Sequence, residues 1–189
     1  MRKHAMKTNR IALRALWRLN KTGSLAMAFV LVGGLVLPAD LCLAKVQQSA
    51  PDGFRLRIEQ TTKVNADAAY SALANDIAKW WNPDHTYTGV AENLSLDLDQ
   101  HCLREKLAGG GFVRHMEIVF LQPGKTVRMT GGLGPLQEMG VHGALQFSFE
   151  PSEGETRIIL TYNVSGASFH ELDRISPAVD AVLTEQLNR

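Results

Sequence analysis

The chain has 189 residues, with 20 Lys and Arg against 19 Asp and Glu and 45% hydrophobic side chains. That balance excludes a disordered tail and a collagen-like fibre, and a net charge of +1 lacks the basic footprint of a dedicated nucleic-acid binder. Two cysteines are too few for a disulfide scaffold or a four-cysteine zinc module, and the length fits one ordinary domain.

The charge is unevenly spread. Residues 1–44 carry seven basic side chains, from Arg2 to Lys21, and a single acid, Asp40. The uncharged run Leu25 to Leu37 follows, Pro38 breaks it, and Cys42-Leu43-Ala44 sets small side chains at both positions a signal peptidase reads. This pattern predicts a secretory signal peptide over 1–44, cleaved after Ala44, and a periplasmic location. The thirteen apolar residues span about 20 Å as a helix, less than the roughly 30 Å hydrocarbon core, so no stable membrane span is expected after cleavage. Retention as an anchor is the alternative, because Gly23 to Leu43 can stretch the run. Cleavage leaves thirteen basic and eighteen acidic side chains, a net charge of −5, which strengthens the exclusion of nucleic acid. It also removes Cys42 and leaves Cys102 as a lone thiol, expected in the core.

Residues 45–52, with Gln47-Gln48-Ser49 and Pro51, read as a linker before a domain over 53–189. Phe54, Leu56 and Ile58 alternate with Arg55, Arg57 and Glu59, the period of a half-buried first strand. Asn65 caps a short helix over Ala66 to Leu73, and a second short helix over Asp76 to Trp81 stops at Asn82-Pro83. Six strands follow, over 93–98, 101–107, 112–121, 126–130, 141–150 and 156–164, separated by Gly109-Gly110-Gly111, Pro123-Gly124 and Ser152-Glu153-Gly154. Ser176 and Pro177 look like the cap and first residue of a terminal helix, whose apolar stripe runs through Val179, Val182, Leu183 and Leu187. The order predicts an α+β domain: a curved seven-stranded antiparallel sheet, two short helices after its first strand, and a long C-terminal helix covering one face.

Together with the stretches Ile77-Ala78-Lys79-Trp80-Trp81-Asn82-Pro83, Gly109-Gly110-Gly111-Phe112-Val113-Arg114-His115-Met116, Leu133-Gly134-Pro135-Leu136-Gln137 and Ser176-Pro177-Ala178-Val179-Asp180, this order resembles the START-like (SRPBCC) superfamily in its bacterial polyketide cyclase/dehydrase-like branch. The resemblance covers residues 54–189. It implies a helix-grip fold with an internal cavity between sheet and C-terminal helix. It leaves the activity open, since the superfamily includes lipid carriers, cyclases and chaperone-regulating modules.

Catalytic signatures are sparse. Gly124-Lys125-Thr126 imitates a phosphate loop but has Val119 where the motif needs glycine and lies between strands. Cys102 and His101 are adjacent in a strand and face opposite ways. The informative pair is Glu105 and His115. A hairpin closed by the triple glycine sets Glu105 opposite His115 and Leu107 opposite Val113. The next hairpin, pairing Phe120 with Val127 and Ile118 with Met129, puts the opposite parity inside. Both patterns hold if a bulge near Met116–Glu117 switches the face, leaving Glu105 and His115 inside and Glu117 outside. An inward pair reads either as an acid/base couple and polar anchor for a ligand, or as a buried ion pair with no ligand. No metal site or cofactor is expected, because no third ligand converges by spacing.

Trp80, Trp81, His85 and Tyr87 cluster after the second helix and suit an amphipathic ligand, or alternatively the core. The glycine-rich loop 131–140, with Leu133, Leu136 and Met139, reads as a lid or as a segment tucked over the sheet edge. Met129 and Tyr162 complete the candidate ligand-binding set of Trp80, Trp81, His85, Tyr87, Glu105, His115, Met129, Met139 and Tyr162. The sequence thus predicts an exported binder of a hydrophobic or amphipathic small molecule. The alternatives are a cyclase or dehydratase using Glu105 and His115, and a protein-interaction module with a filled interior and an exposed apolar patch, placed on the 131–140 loop.

Overall fold

The alternation that begins at Phe54 builds a strand of ten residues, longer than its apolar core suggests, and the rest of the sheet is assembled on it. The computed structural model describes residues 43–189, so the leader expected over 1–44 lies almost wholly outside the described residues. In chain order the elements are β1 (Leu43–Ala50), β2 (Gly53–Thr62), α1 (Ala66–Asn75), α2 (Ile77–Trp80), β3 (Leu94–Asp97) and β4 (Cys102–Lys106). Then come β5 (Phe112–Gln122), β6 (Thr126–Gly131), β7 (His142–Ser152), β8 (Glu155–Ser165) and α3 (Leu172–Leu187). The fold is α+β, an open eight-stranded antiparallel sheet in the order β1-β2-β8-β7-β6-β5-β4-β3 with a C-terminal helix.

The seven strands expected from Phe54 onward are present; the eighth is β1, made largely from the expected linker. Its Gln47-Gln48-Ser49 stretch shows no alternation because the strand is an edge, paired only to β2 and shifted in register between Val46 and Gln48. The two short helices therefore follow the second strand, not the first. Asn65 caps α1 as expected, its side-chain oxygen accepting from the Ala68 amide at 2.9 Å.

The terminal helix corrects the expected start at Ser176. It begins four residues earlier, at Leu172, and Pro177 lies inside it. A proline there cannot donate to the Asp173 carbonyl one turn back, and the Ser176 hydroxyl donates to that carbonyl instead, at 3.0 Å. Ser176 is thus a buried repair of the helix rather than its cap. The entry is fixed by the Leu172 amide donating to Pro51 O. From there the stripe Leu172, Ser176, Val179, Leu183, Gln186 faces the sheet at helical spacing.

One apolar cluster joins the layers. Leu56 and Ile58 of β2, Leu145 and Phe147 of β7, Leu160 and Tyr162 of β8, Leu73 of α1 and Leu183 of α3 all belong to it. Burying each large side chain contributes about 1.5–3 kcal/mol.

Candidate functional site

The site starts from a fault in strand pairing. Between β4 and β5, Leu103 pairs with Met116 but Arg104 pairs with Arg114, leaving His115 as the extra residue. The expected bulge is therefore present one residue earlier than Met116–Glu117, and Glu105 lies opposite Val113, not His115. Its effect on the faces is the expected one: His115 and Met116 both turn inward, Glu105 is inside and Glu117 outside. A second shift, between Ile118 and Phe120, corrects the next hairpin. Ile118 pairs with Met129 as expected, but Val127 pairs with Leu121, so Phe120 is exposed.

Inside the bulge, Glu105 has no exposed surface. One carboxylate oxygen accepts from the Thr88 amide at 2.7 Å; the other accepts from the Tyr87 amide at 3.1 Å and lies 3.2 Å from His115 Nε2. Burial pushes the carboxyl up, but hydrogen bonding from Thr88, Tyr87 and His115 outweighs it and holds the group below its usual range. Burial pulls His115 below its ordinary value against the opposing pull of Glu105. An ionised carboxylate only accepts, so a neutral His115 donates from Nε2 and carries its lone pair on Nδ1. That Nδ1 is buried and has no partner among the described residues.

Two segments close over the pair. The first is the strap over residues 86–90, whose Tyr87 ring stacks on the His115 ring with centroids 5.7 Å apart. Burial, Glu138 and Glu105 all push the Tyr87 hydroxyl up. The second is the loop 131–140, tied at three points. Its Leu133 amide donates to the Tyr162 hydroxyl at 3.2 Å, its Gly134 carbonyl accepts from the Tyr87 hydroxyl at 3.2 Å, and its Gln137 side chain donates to Arg114 O at 2.6 Å. Two glycines make this closeness possible. Gly131 has φ 139°, and a Cβ there would sit 3.0 Å from His115 O; a Cβ on Gly143 would sit 2.6 Å from the Tyr162 ring. Tyr162 is fully buried, and burial pushes its hydroxyl up to about 12, with the Leu133 hydrogen bond pulling the other way.

Tyr87, Glu105, His115 and, through Leu133, Tyr162 are brought together. The other expected residues are placed elsewhere. Both indole N–H groups are spent on local backbone: Trp80 donates to Ala72 O and Trp81 to His85 O, each at 3.1 Å. His85 reaches Glu185 of α3 at 3.1 Å. Met129 is a core side chain of β6, and Met139 is partly buried against the same cluster. The loop tucks in, with Leu136 buried, so the exposed apolar side chains Val119, Phe120 and Leu121 lie on β5 rather than on this loop. Thr88 and Gln137 escaped the sequence reading: one acts through a backbone amide and the other through a carbonyl contact, neither of which has a side-chain pattern to find.

Between β2 and α3, where a cavity is expected, Leu56, Ile58, Leu172, Leu183 and Gln186 are each at most 1% exposed. A void large enough for water would leave accessible area on its lining, so these side chains enclose none between them. Open clefts of about 470 and 570 Å³ lie elsewhere, one along residues 48–55 and one along residues 63–67 and 151–156. Among the described residues no three His, Cys, Asp or Glu side chains converge as a metal site, and no helix is long and apolar enough to cross a membrane.

No family model and no curated protein matches the sequence. Several solved structures are similar in fold. CalU16 from Micromonospora echinospora is 12% identical, over 77% of this chain and 85% of that one, with a TM-score of 0.42. Mll3558 from Rhizobium loti is 17% identical, over 70% and 95%, with a TM-score of 0.46. Ms6760 from Mycobacterium smegmatis is 12% identical, over 71% and 86%, with a TM-score of 0.49.

Proposed function

We propose that the protein is an exported, periplasmic binder of a hydrophobic or amphipathic small molecule, built as a START-like helix-grip domain of the polyketide cyclase/dehydrase-like kind. The ligand's polar end meets the Glu105–His115 pair beneath the 86–90 strap and the 131–140 loop. The observation that carries this reading is a buried, incompletely satisfied polar pair under a loop that three side-chain hydrogen bonds tie down. Three such bonds contribute about 1.5–4.5 kcal/mol together, at roughly 0.5–1.5 kcal/mol each. A ligand that displaces the loop offsets that cost through its contacts with the apolar floor before any net affinity remains, and a net micromolar Kd corresponds to about 8 kcal/mol beyond it. The close packing of Leu56, Ile58, Leu172, Leu183 and Gln186 supports a ligand position at the loop rather than under α3.

Native mass spectrometry of protein purified from its own compartment, with solvent extraction of what it carries, tests the reading. A small molecule released in stoichiometric amount is the expected result. A bare protein that no apolar or amphipathic compound stabilises against heat overturns it.

The neutral His115 oriented by an ionised Glu105 favours a second reading, an acid/base enzyme of cyclase or dehydratase type, because a carboxylate-held imidazole with a free lone pair is how a general base is prepared. Turnover of a polyketide-like or aromatic substrate that survives both His115→Ala and Glu105→Gln removes that assignment.

A further inference from the structure

We infer that His115 Nδ1 is the site's acceptor for a ligand that brings an uncharged hydroxyl hydrogen, so that the protein selects neutral alcohols or phenols and rejects carboxylates. This rests on the ligand-binding reading above and specifies its ligand. The geometry assigns the proton. Both oxygens of Glu105 face donors: Thr88 N on one, Tyr87 N and His115 Nε2 on the other. A carboxylate in that cradle accepts from all three, which puts the imidazole hydrogen on Nε2 and the lone pair on Nδ1.

Among the described residues no group is left to fill that lone pair. The Tyr87 hydroxyl, on the ring stacked against His115, is turned to Gly134 O, and the Leu133 amide is turned to the Tyr162 hydroxyl. The His115 side chain is 5% exposed, and among the described residues nothing donates to Nδ1. A buried acceptor without a donor is a standing cost, relieved by any partner that supplies the hydrogen. The sign of the surroundings narrows the partner. Glu105 lies against the imidazole, and Glu138 stands close enough to Tyr87 to act on its hydroxyl. A negatively charged ligand meets two acids there and has no hydrogen to offer Nδ1, whereas a hydroxyl supplies one without bringing charge. Aromatic contact with the Tyr87 face favours the phenol over the aliphatic alcohol.

The probes are phenol, anisole and benzoate, equal in ring and different in the group offered. Titrated at neutral pH against the full chain, phenol is expected to bind about tenfold more tightly than anisole, the worth of one net hydrogen bond, and benzoate more weakly still. In His115→Gln the preference for phenol over anisole is expected to disappear. Anisole equal to phenol, or benzoate bound best, overturns the donor assignment while a ligand-binding protein remains. Failure of all three to bind at millimolar concentration overturns it too, and an empty native mass spectrum alongside that failure removes the binding reading as well. A second measurement needs neither ligand nor variant. In the ¹⁵N-labelled wild type, the ring nitrogens of His115, assigned through its own backbone, are expected to show the neutral form with hydrogen on Nε2. Hydrogen on Nδ1, or an imidazolium at neutral pH, overturns the inference and leaves the binding reading in place.

Discussion

His85 and Glu185 meet at 3.1 Å where the turn after α2 touches the end of α3, with 28% and 41% of their side chains exposed; His115 and Glu105 meet at 3.2 Å with 5% and 0% exposed. The contact is the same and the physics is different. At the rim, Asn82 and His85 hydrogen bonds hold Glu185 below its usual range with little burial to oppose them, and water stands ready to replace any partner. Inside, burial works against the charge on Glu105, and the strap must supply two backbone amides to keep it. The rim pair is a fastening between two finished elements. The interior pair is part of what makes its surroundings fold in one way, since a bulge, a strap and a glycine loop all converge on it.

Removing the interior carboxylate is the severest test of that difference. Glu105→Ala leaves the Tyr87 and Thr88 amides and the His115 Nε2–H buried without an acceptor, and the expected cost is about 3–5 kcal/mol, the range for breaking a buried pair from one side. Urea denaturation measures it. Glu105→Gln keeps the shape and one accepting oxygen and is expected to cost less. If Glu105→Ala is no worse than a change at Glu185, burial does not distinguish the two pairs.

Acid weakens the interior pair at both of its members. His115 is held below its ordinary 6.5 in the folded protein, so between 6.5 and the lower folded value the unfolded chain takes up the proton first. Stability is therefore full above about 6.5 and falls as pH drops through that window. Glu105, held below 4.5, adds a second loss of the same direction at lower pH. Denaturation midpoints measured from about pH 7.5 down to about pH 2.5 are expected to decline in two stages, the second below about 4.5, and His115→Gln to remove the first. A midpoint that rises on acidification from 7 to 5.5 contradicts a neutral buried His115.

The loop contacts come next in size. Tyr162→Phe removes the acceptor of the Leu133 amide and is expected to cost about 1 kcal/mol, and Tyr87→Phe, losing only its bond to Gly134 O, somewhat less. Hydrogen exchange at Leu133 reads both: faster in Tyr162→Phe, and faster to a smaller degree in Tyr87→Phe, while the amides of β8 stay protected. Uniform acceleration across β8 would mean that the loop is part of the core rather than a cover over it.

Much of this interior was legible. Conflicting parities in two adjacent hairpins require a bulge between them, and with Leu107 and Val113 on one side and Ile118 and Met129 on the other, only an inward Glu105 and His115 satisfy both. The bulge fell at His115 because Leu103 and Met116, both buried, keep their pairing and push the extra residue past them. What the sequence could not show was backbone chemistry. The Tyr87 and Thr88 amides that hold Glu105 are donors every residue possesses, so no residue type marks them. Strand β1 was invisible for a related reason, since an edge strand with polar side chains is ordered by main-chain pairing and leaves no periodicity. Ser176-Pro177 misled because the same dipeptide suits a helix start and, given a hydroxyl to satisfy the Asp173 carbonyl, a helix interior.

At the rim the expected effects are smallest and their salt dependence is the informative part. His85→Ala removes one contact to Glu185, but the Asn82 side chain still donates to the other carboxylate oxygen, and the Asn82 amide still donates to Gln186 at 2.6 Å. The turn therefore stays on α3, and the expected loss is under about 1 kcal/mol, shrinking further in 0.5 M salt as exposed charges are screened. Gln186 is the better place to break the fastening, because it is 1% exposed and its side chain spans both elements, accepting from Asn82 and donating to Val182 O. Gln186→Ala leaves the half-buried Asn82 amide unpaired and is expected to exceed His85→Ala and to be insensitive to salt. The reverse order would make the charge pair, rather than the amide bridge, the fastening between the turn and the helix.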